Sequence, residues 1–421
     1  MQQGLLSGAF RSPGVPAFFT MAVVQLPPGI LRVGHPIPVA LRDAAGHLLV
    51  ARGTVLADDA QRQQLLARGI YVDTQDSAQF RKALAGKLDS MLRSNALIGQ
   101  IARAVPDAED CGAQAARRRV GDPVAAWNGL LLRASALLHD PPQDGEFATR
   151  LQRIDAEALD LLDTDTDASL LTLIHATTHE AHQYSVTHAV LVAAVCELAA
   201  RELAWPADRR TPLRRAALTM NLSMTALQDL LALQDSPLTP RQREAIDGHA
   251  LRSAALLRER GIADQLWLQA VEQHHVSPAG PLAGLSASLQ LARLIQRTDI
   301  FAARLAPRRV RQAMAATAAA KAAYLDENQQ ADAAGAAIIK AVGIYPPGSY
   351  VRLANAEVAV VLRRGRRANE PRVASVIGRN GTPLGEPAVR DTRLKTYEVT
   401  AGVAPHEVKL RLNLERLMRL S

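Results

Sequence analysis

Aromatic side chains make up only 4% of this 421-residue chain, and cysteine occurs twice, as Cys111 and Cys196. Two cysteines build neither a disulfide framework nor a cysteine-based zinc site, so a reducing, cytoplasmic setting is the expectation. No apolar run reaches the roughly 18 residues that a membrane-spanning helix needs. The longest, residues 189–196, stops at Glu197. The opening residues are punctuated by Pro13, Pro16, Pro27 and Pro28, and they hold no signal-peptide apolar core. Organised patterning begins only after Met21, an alternative start. No internal repeat is present. Ala, Leu and Arg are abundant instead, and with so few aromatics this composition suits a mainly helical protein.

The length allows two or three domains, and 48% hydrophobic residues are ample for a sizeable core. Residues 1–20 read as a disordered tail, and 21–76 as a small β-rich accessory module. Within it, 37–41 and 48–51 flank the turn-rich 43–46 as a hairpin, and 70–72 form a further strand. A short helix over 58–68 ends at Gly69. Residues 77–123 are polar and irregular after one helix and read as a linker. A helical domain follows over 124–350. Thr239 with Pro240 opens a helix running to Gly261, and Thr211 with Pro212 opens another. Asp264 caps the helix that delivers Glu272, His274 and His275, and Pro307 closes the one carrying Asp299. Alternation at 351–353 and 358–361 then signals strands in a basic, β-rich extension, 351–421.

The formal net charge is +8, and residues 351–421 carry 14 Lys or Arg against 7 Asp or Glu. Arg363, Arg364, Arg366 and Arg367 are its focus. Such a run is ordinarily a solvated strand and turn, and otherwise a patch for an acidic partner or nucleic acid.

The residues that carry chemistry lie in the helical domain. His188, His249, His274, His275 and Asp299 fall on four separate predicted helices. Imidazole and carboxylate are natural ligands for divalent first-row metals, and helical bundles assemble such sites from facing helices. By spacing alone, each histidine is equally well a satisfied core residue.

The surrounding motifs resemble those of the HD-GYP domain family of cyclic di-GMP phosphodiesterases. Tyr184-Ser185-Val186-Thr187-His188-Ala189 resembles the family's first helix motif, and Ile246-Asp247-Gly248-His249 its MxxHPxxG helix. His274-His275 matches the HHE pair, and residues 292–303, around Asp299, track ARILxVADxxDA. Arg308 and Arg311 fall where RPYR has its arginines, and residues 343–353 follow GxYPPGSxVxL. The similarity runs from about Asp167 to Val361 with order and spacing kept, and the module ahead also resembles one found before such domains. The resemblance implies an HD-type helical bundle, a metal site built from the histidines and Asp299, phosphate binding by Arg308 and Arg311, and cyclic di-GMP or a signalling protein as partner.

The departures are chemical. Met220 and Asn221 stand where the family has His-Asp, and Met224 replaces the lysine that follows. After His275 only Gly280 is kept of E-x-x-D-G-x-G-Y-P. Ala302 replaces the second aspartate of DxxDA, and Tyr184 takes the place of a glutamate present in some members. Two metals about 3.5–4 Å apart need shared anions between them. Asn221 is neutral and Met220 a soft thioether. These replacements disfavour a binuclear centre. They leave room for one divalent ion, Zn, Mn or Fe, on His249, His274 and His275, the three-histidine arrangement known for zinc. The expectation is a catalytically impaired regulatory or binding protein; the alternative is an active phosphohydrolase with an altered, mononuclear site. Two other patterns mislead. Ala136-Leu137-Leu138-His139-Asp140 spells ALLHD but runs into Pro141 and Pro142, which end a helix. His175, His179 and His182 share a helical face and read as a partly exposed polar surface. His35, His47 and His406 carry no pattern.

Overall fold

The computed structural model describes residues 123–421 apart from 144, 180–182, 327 and 411. Ahead of them it describes 23–25, 41–42, 48–50, 58–67, 69–73 and positions 31, 33, 34, 37, 39, 56, 77 and 84. The chain divides into two compact units, Met1–Gly121 and Asp122–Ser421. The expected tail, most of the linker, the hairpin turn at 43–46 and His182 lie outside the described residues.

In the first unit, β1 (Val23–Gln25), β2 (Leu41–Arg42), β3 (Leu48–Val50) and β4 (Tyr71–Asp73) form a four-stranded sheet in the order β1-β4-β2-β3. Its pairings are antiparallel. Of the expected hairpin, β2 pairs antiparallel with β3. Strand β1 had no sequence signal: a three-residue run beside prolines becomes a strand only because β4 offers it a ladder. Helix α1 (Asp59–Ala67) stops before Gly69, whose φ of +74° is the left-handed conformation expected of a helix-ending glycine. Ile37, Val39, Leu41, Ile70 and Val72 are buried as the core of this unit.

The second unit is mainly helical. Helices α2 (Pro123–His139), α3 (Glu146–Thr164) and α4 (Thr166–His179) lead to α5 (Tyr184–Glu202). Alpha-helix α5 is the one described helix long and apolar enough to cross a membrane, but 94% of its apolar window is buried inside the unit. A helix that is hydrophobic all round is the centre of a bundle, and here the surrounding helices cover every face. Of its two glutamates, Glu197 is fully buried. Arg201 and Arg214 bond it at 2.8 and 2.7 Å, and Arg210 also reaches it. Arg214 bonds Asp155 of α3 as well, at 2.7 Å, so one ion cluster locks α3, α5 and the next helix together.

That helix, α6 (Ala207–Thr219), starts after Pro206 rather than at Thr211-Pro212, and Pro212 lies inside it. So early in a helix, proline removes a single ladder bond, and the preceding turn forms without it. A short turn at Leu222–Met224 leads to α7 (Thr225–Leu233). The helix expected from 239 to 261 is two. Helix α8 (Pro240–Asp247) begins with the Thr239–Gln242 capping box, and α9 (His249–Glu259) begins after Gly248. Gly261, at φ +80°, ends α9, with Ile262 N–H donating to Leu257 O at 3.0 Å. Asp264 caps α10 (Gln265–Gln273) through Trp267 N–H, so His274 and His275 sit just past its end rather than within it. Helices α11 (Ala287–Leu305), α12 (Ala316–Tyr324) and α13 (Ala333–Val342) complete the bundle. Gly335 lets α13 cross α12 closely, since a β-carbon there would lie 2.3 Å from Ala323 O.

Beyond the bundle, β5 (Tyr350–Leu353), β6 (Val358–Arg363), β7 (Arg372–Ile377), β8 (Pro383–Asp391) and β9 (Val399–Val403) form an antiparallel sheet in the order β8-β7-β6-β5-β9. A short helix, α14 (Leu414–Met418), buries Leu417 against it. The fold class is therefore the expected one: mainly α, with a β-rich module before the bundle and a β-rich extension after it.

Candidate metal centre

The bundle brings the chemical residues together from four helices. His188 lies in the second turn of α5, His249 opens α9, His274 and His275 follow α10, and Asp299 lies within α11. The break at Gly248 is what presents His249. Its Nδ1 donates to Ile246 O at 2.5 Å, and Ser223 Oγ donates to the His249 carbonyl at 3.0 Å. Ser253 Oγ in turn accepts from Ser223 N–H at 3.0 Å, tying the start of α9 to the turn that follows α6. No sequence signal singled out these serines.

Two subsites result. In one, His188 Nε2 and Asp299 Oδ1 are 2.7 Å apart. Burial by itself would raise the Asp299 carboxyl; the His188 bond and the charges of His188, His274 and His275 outweigh it, holding the group at about 2. His188 is buried, and its Nδ1 has no hydrogen-bond partner among the described residues. In the other subsite His249 Nε2 lies 3.2 Å from both His274 Nε2 and His275 Nε2, and the ligand atoms of all three lie within 4.8 Å of one another.

The tautomers of this trio follow from their outer contacts. His274 Nδ1 donates to Val271 O at 2.6 Å, as His249 Nδ1 does to Ile246 O. With each Nδ1 proton engaged, the neutral rings turn bare Nε2 lone pairs toward each other. Burial lowers both rings, His274 to about 3, so they are neutral near pH 7. Facing lone pairs at 3.2 Å repel unless a proton or cation lies between them. Backbone carbonyls that fix the ring and its tautomer are the usual outer support of a metal-binding imidazole. The trio is therefore a donor set that could hold one divalent first-row ion.

The other expected positions are placed differently. Met220 is fully buried among the apolar core residues, and Asn221 is nearly buried at the start of the 222–224 turn. Arg308 is already engaged: Nη2 donates to Tyr184 OH at 2.8 Å, and its guanidinium lies 4.9 Å over the Tyr184 ring. The same ring stacks on His188 at 5.5 Å and 9°. Tyr184, which sequence reading treated only as a lost glutamate, thus links the His188 subsite to the arginines. Arg311 donates to Ala303 O, and burial followed by the neighbouring Arg308 charge lowers its pKa.

The misleading patterns resolve as structure. His139 ends α2 and its Nε2 lies 2.8 Å from Asp229 Oδ2. Asp229 also accepts from Ser185 N–H and Oγ at 2.7 and 2.9 Å, pinning α2, α5 and α7 together. The His175 and His179 Nδ1 atoms are 2.9 Å apart, and His179 Nε2 is 3.2 Å from Tyr350 OH. His175 is half-buried and His179 exposed, the partly exposed polar face expected for these two residues.

No protein-family profile matches the chain, and no curated protein matches it. Among solved structures it is similar to Bd1817, an HDG"Y"P protein from Bdellovibrio bacteriovorus, with a TM-score of 0.41 and 14% identity, over 76% of this chain and 99% of that one.

Proposed function

We propose that this chain is a degenerate HD-GYP-like protein that serves cyclic-dinucleotide signalling as a regulatory or binding component, impaired in catalysis. The motif order from Asp167 to Val361 supports the scaffold. The donor set carries the reading of the site. Three imidazole nitrogens converge on one point, Asp299 is paired with His188, and position 221 offers an amide where a bridging anion is needed. Such a pocket suits one Zn, Mn or Fe ion. A zinc ion, if held by His249, His274 and His275, would lower the pKa of its bound water to about 7. Arg308 and Arg311 bind a phosphate of cyclic di-GMP by exchanging their Tyr184 and Ala303 contacts for it, which also relieves the repulsion between the two guanidinium groups.

The test measures metal content, cyclic di-GMP binding and hydrolysis together, on the native chain and on a Met220→His, Asn221→Asp double variant. The expected native result is at most one equivalent of metal, micromolar binding that survives a chelator, and no product. Two equivalents of metal in the native chain would overturn the reading. Turnover that His274→Ala abolishes would establish the second reading, an active mononuclear phosphohydrolase, which the convergent histidines favour.

A further inference from the structure

The basic turn between β6 and β7 is built more rigidly than a solvated charge run. Arg363 bonds Asp165 at 2.7 Å, and Arg364 bonds Asp167 at 2.5 Å and Ala341 O at 2.6 Å, which anchors the start of the turn on the helical bundle. The turn then folds back tightly. A β-carbon on Gly365 would fall 1.9 Å from Glu370 O, and Glu370 N–H donates to Arg367 O at 3.1 Å. The result is a fixed ridge with Arg366 and Arg367 exposed on it.

A concavity of about 930 Å³ lies along this ridge, walled by the edge of the sheet. Arg364, Arg366, Arg367, Arg372, Arg390 and Arg393 line it, against Glu370 and Asp391 alone among acidic residues. The carboxylates near it are already taken. Asp391 is held by Arg393 at 2.9 and 2.7 Å, Glu370 pairs with Arg367 at 3.2 Å, and Arg390 turns to Glu357 at 2.8 Å. Arg366 and Arg372 make no ion pair among the described residues. Strand register sets Arg372 opposite Arg363, whose own charge is met by Asp165.

We propose that this concavity is an anion-binding site, separate from the histidine pocket, for a compact ligand carrying two or more linked phosphates, such as a nucleoside di- or triphosphate. Guanidinium is the group that grips phosphate with two parallel bonds, and the lining cations are all arginine. A flat membrane surface or a diffuse polyanion is served equally well by lysine. The volume also falls within the range of small-ligand pockets, roughly 300–1,000 Å³. Because the ridge is anchored before any ligand arrives, little ordering opposes binding.

The experiment uses the full chain and follows a fluorescent GTP analogue by anisotropy, with ATP, inorganic pyrophosphate and a 20-nucleotide RNA as competitors. ATP and pyrophosphate are expected to displace the probe. An Arg366→Gln, Arg372→Gln double variant is expected to bind at least tenfold more weakly while melting at the native temperature, since both side chains are exposed. His274→Ala is expected to leave this binding unchanged, which keeps the test independent of the proposed function. Three results would each overturn the proposal: no binding at millimolar probe, undiminished affinity in the double variant, or displacement by RNA but not by ATP or pyrophosphate. Loss of binding in His274→Ala would assign the probe to the helical pocket and overturn it too.

Discussion

Single residues here are governed by what their second atom is bonded to. His274 is a ligand candidate because Val271 takes its Nδ1 proton, and Tyr184 matters because its ring contacts both His188 and Arg308. His175 gives the clearest pH prediction outside the candidate site. Burial first, and then the His179 charge, lowers its pKa from 6.5 to about 3. Between those values the unfolded chain holds a proton that the folded chain excludes. The stability associated with the neutral ring is therefore complete above pH 6.5 and is lost as pH falls toward 3. Urea midpoints at pH 7 and pH 4.5 are expected to differ more in the native chain than in His175→Gln. Equal drops would remove His175 from the acid response.

At the scale of elements, the bundle packs around one large apolar core that also encloses a buried ion cluster. Glu197 is fully buried and joins Arg201, Arg210 and Arg214 around α5. Replacing it by Gln leaves three guanidinium groups short of a counter-charge. A loss of about 3–5 kcal/mol in urea unfolding is expected, the usual cost of breaking a buried pair from one side. A Glu197→Met, Arg214→Met double variant is expected to recover part of that loss. If Glu197→Gln cost under about 1 kcal/mol, the cluster would be no more important than surface pairs. Element ends matter equally. The Gly248 break between α8 and α9 turns His249 toward the pocket, and α10 ends in time for His274 to bond back to Val271.

At the scale of the molecule, the two compact units carry separate apolar cores. The first is built on Ile37, Val39, Leu41 and Val72, the second on the helices around α5. Separate cores melt separately unless a large apolar interface couples them. Calorimetry on the full chain is expected to resolve two transitions, and metal addition to raise only the larger one, because a ligand stabilises the fold that binds it. A single two-state transition would show that the units unfold as one.

The amino-acid order alone determined the fold class and much of the punctuation. Thr239-Pro240, Asp264 and Gly261 end or begin helices by local hydrogen bonding and backbone preference, which depend on a few neighbouring residues. It likewise determined which ligand types are present and that position 221 carries no anion. Tertiary structure decided the rest. Only packing could place Pro212 inside a helix, split 239–261 at Gly248, or recruit β1 through β4. Distance decided the site: His249, His274 and His275 converge, while Asp299 turns to His188 and Arg308 to Tyr184. Those choices rest on contacts between residues 25 to 124 positions apart, which no local pattern encodes.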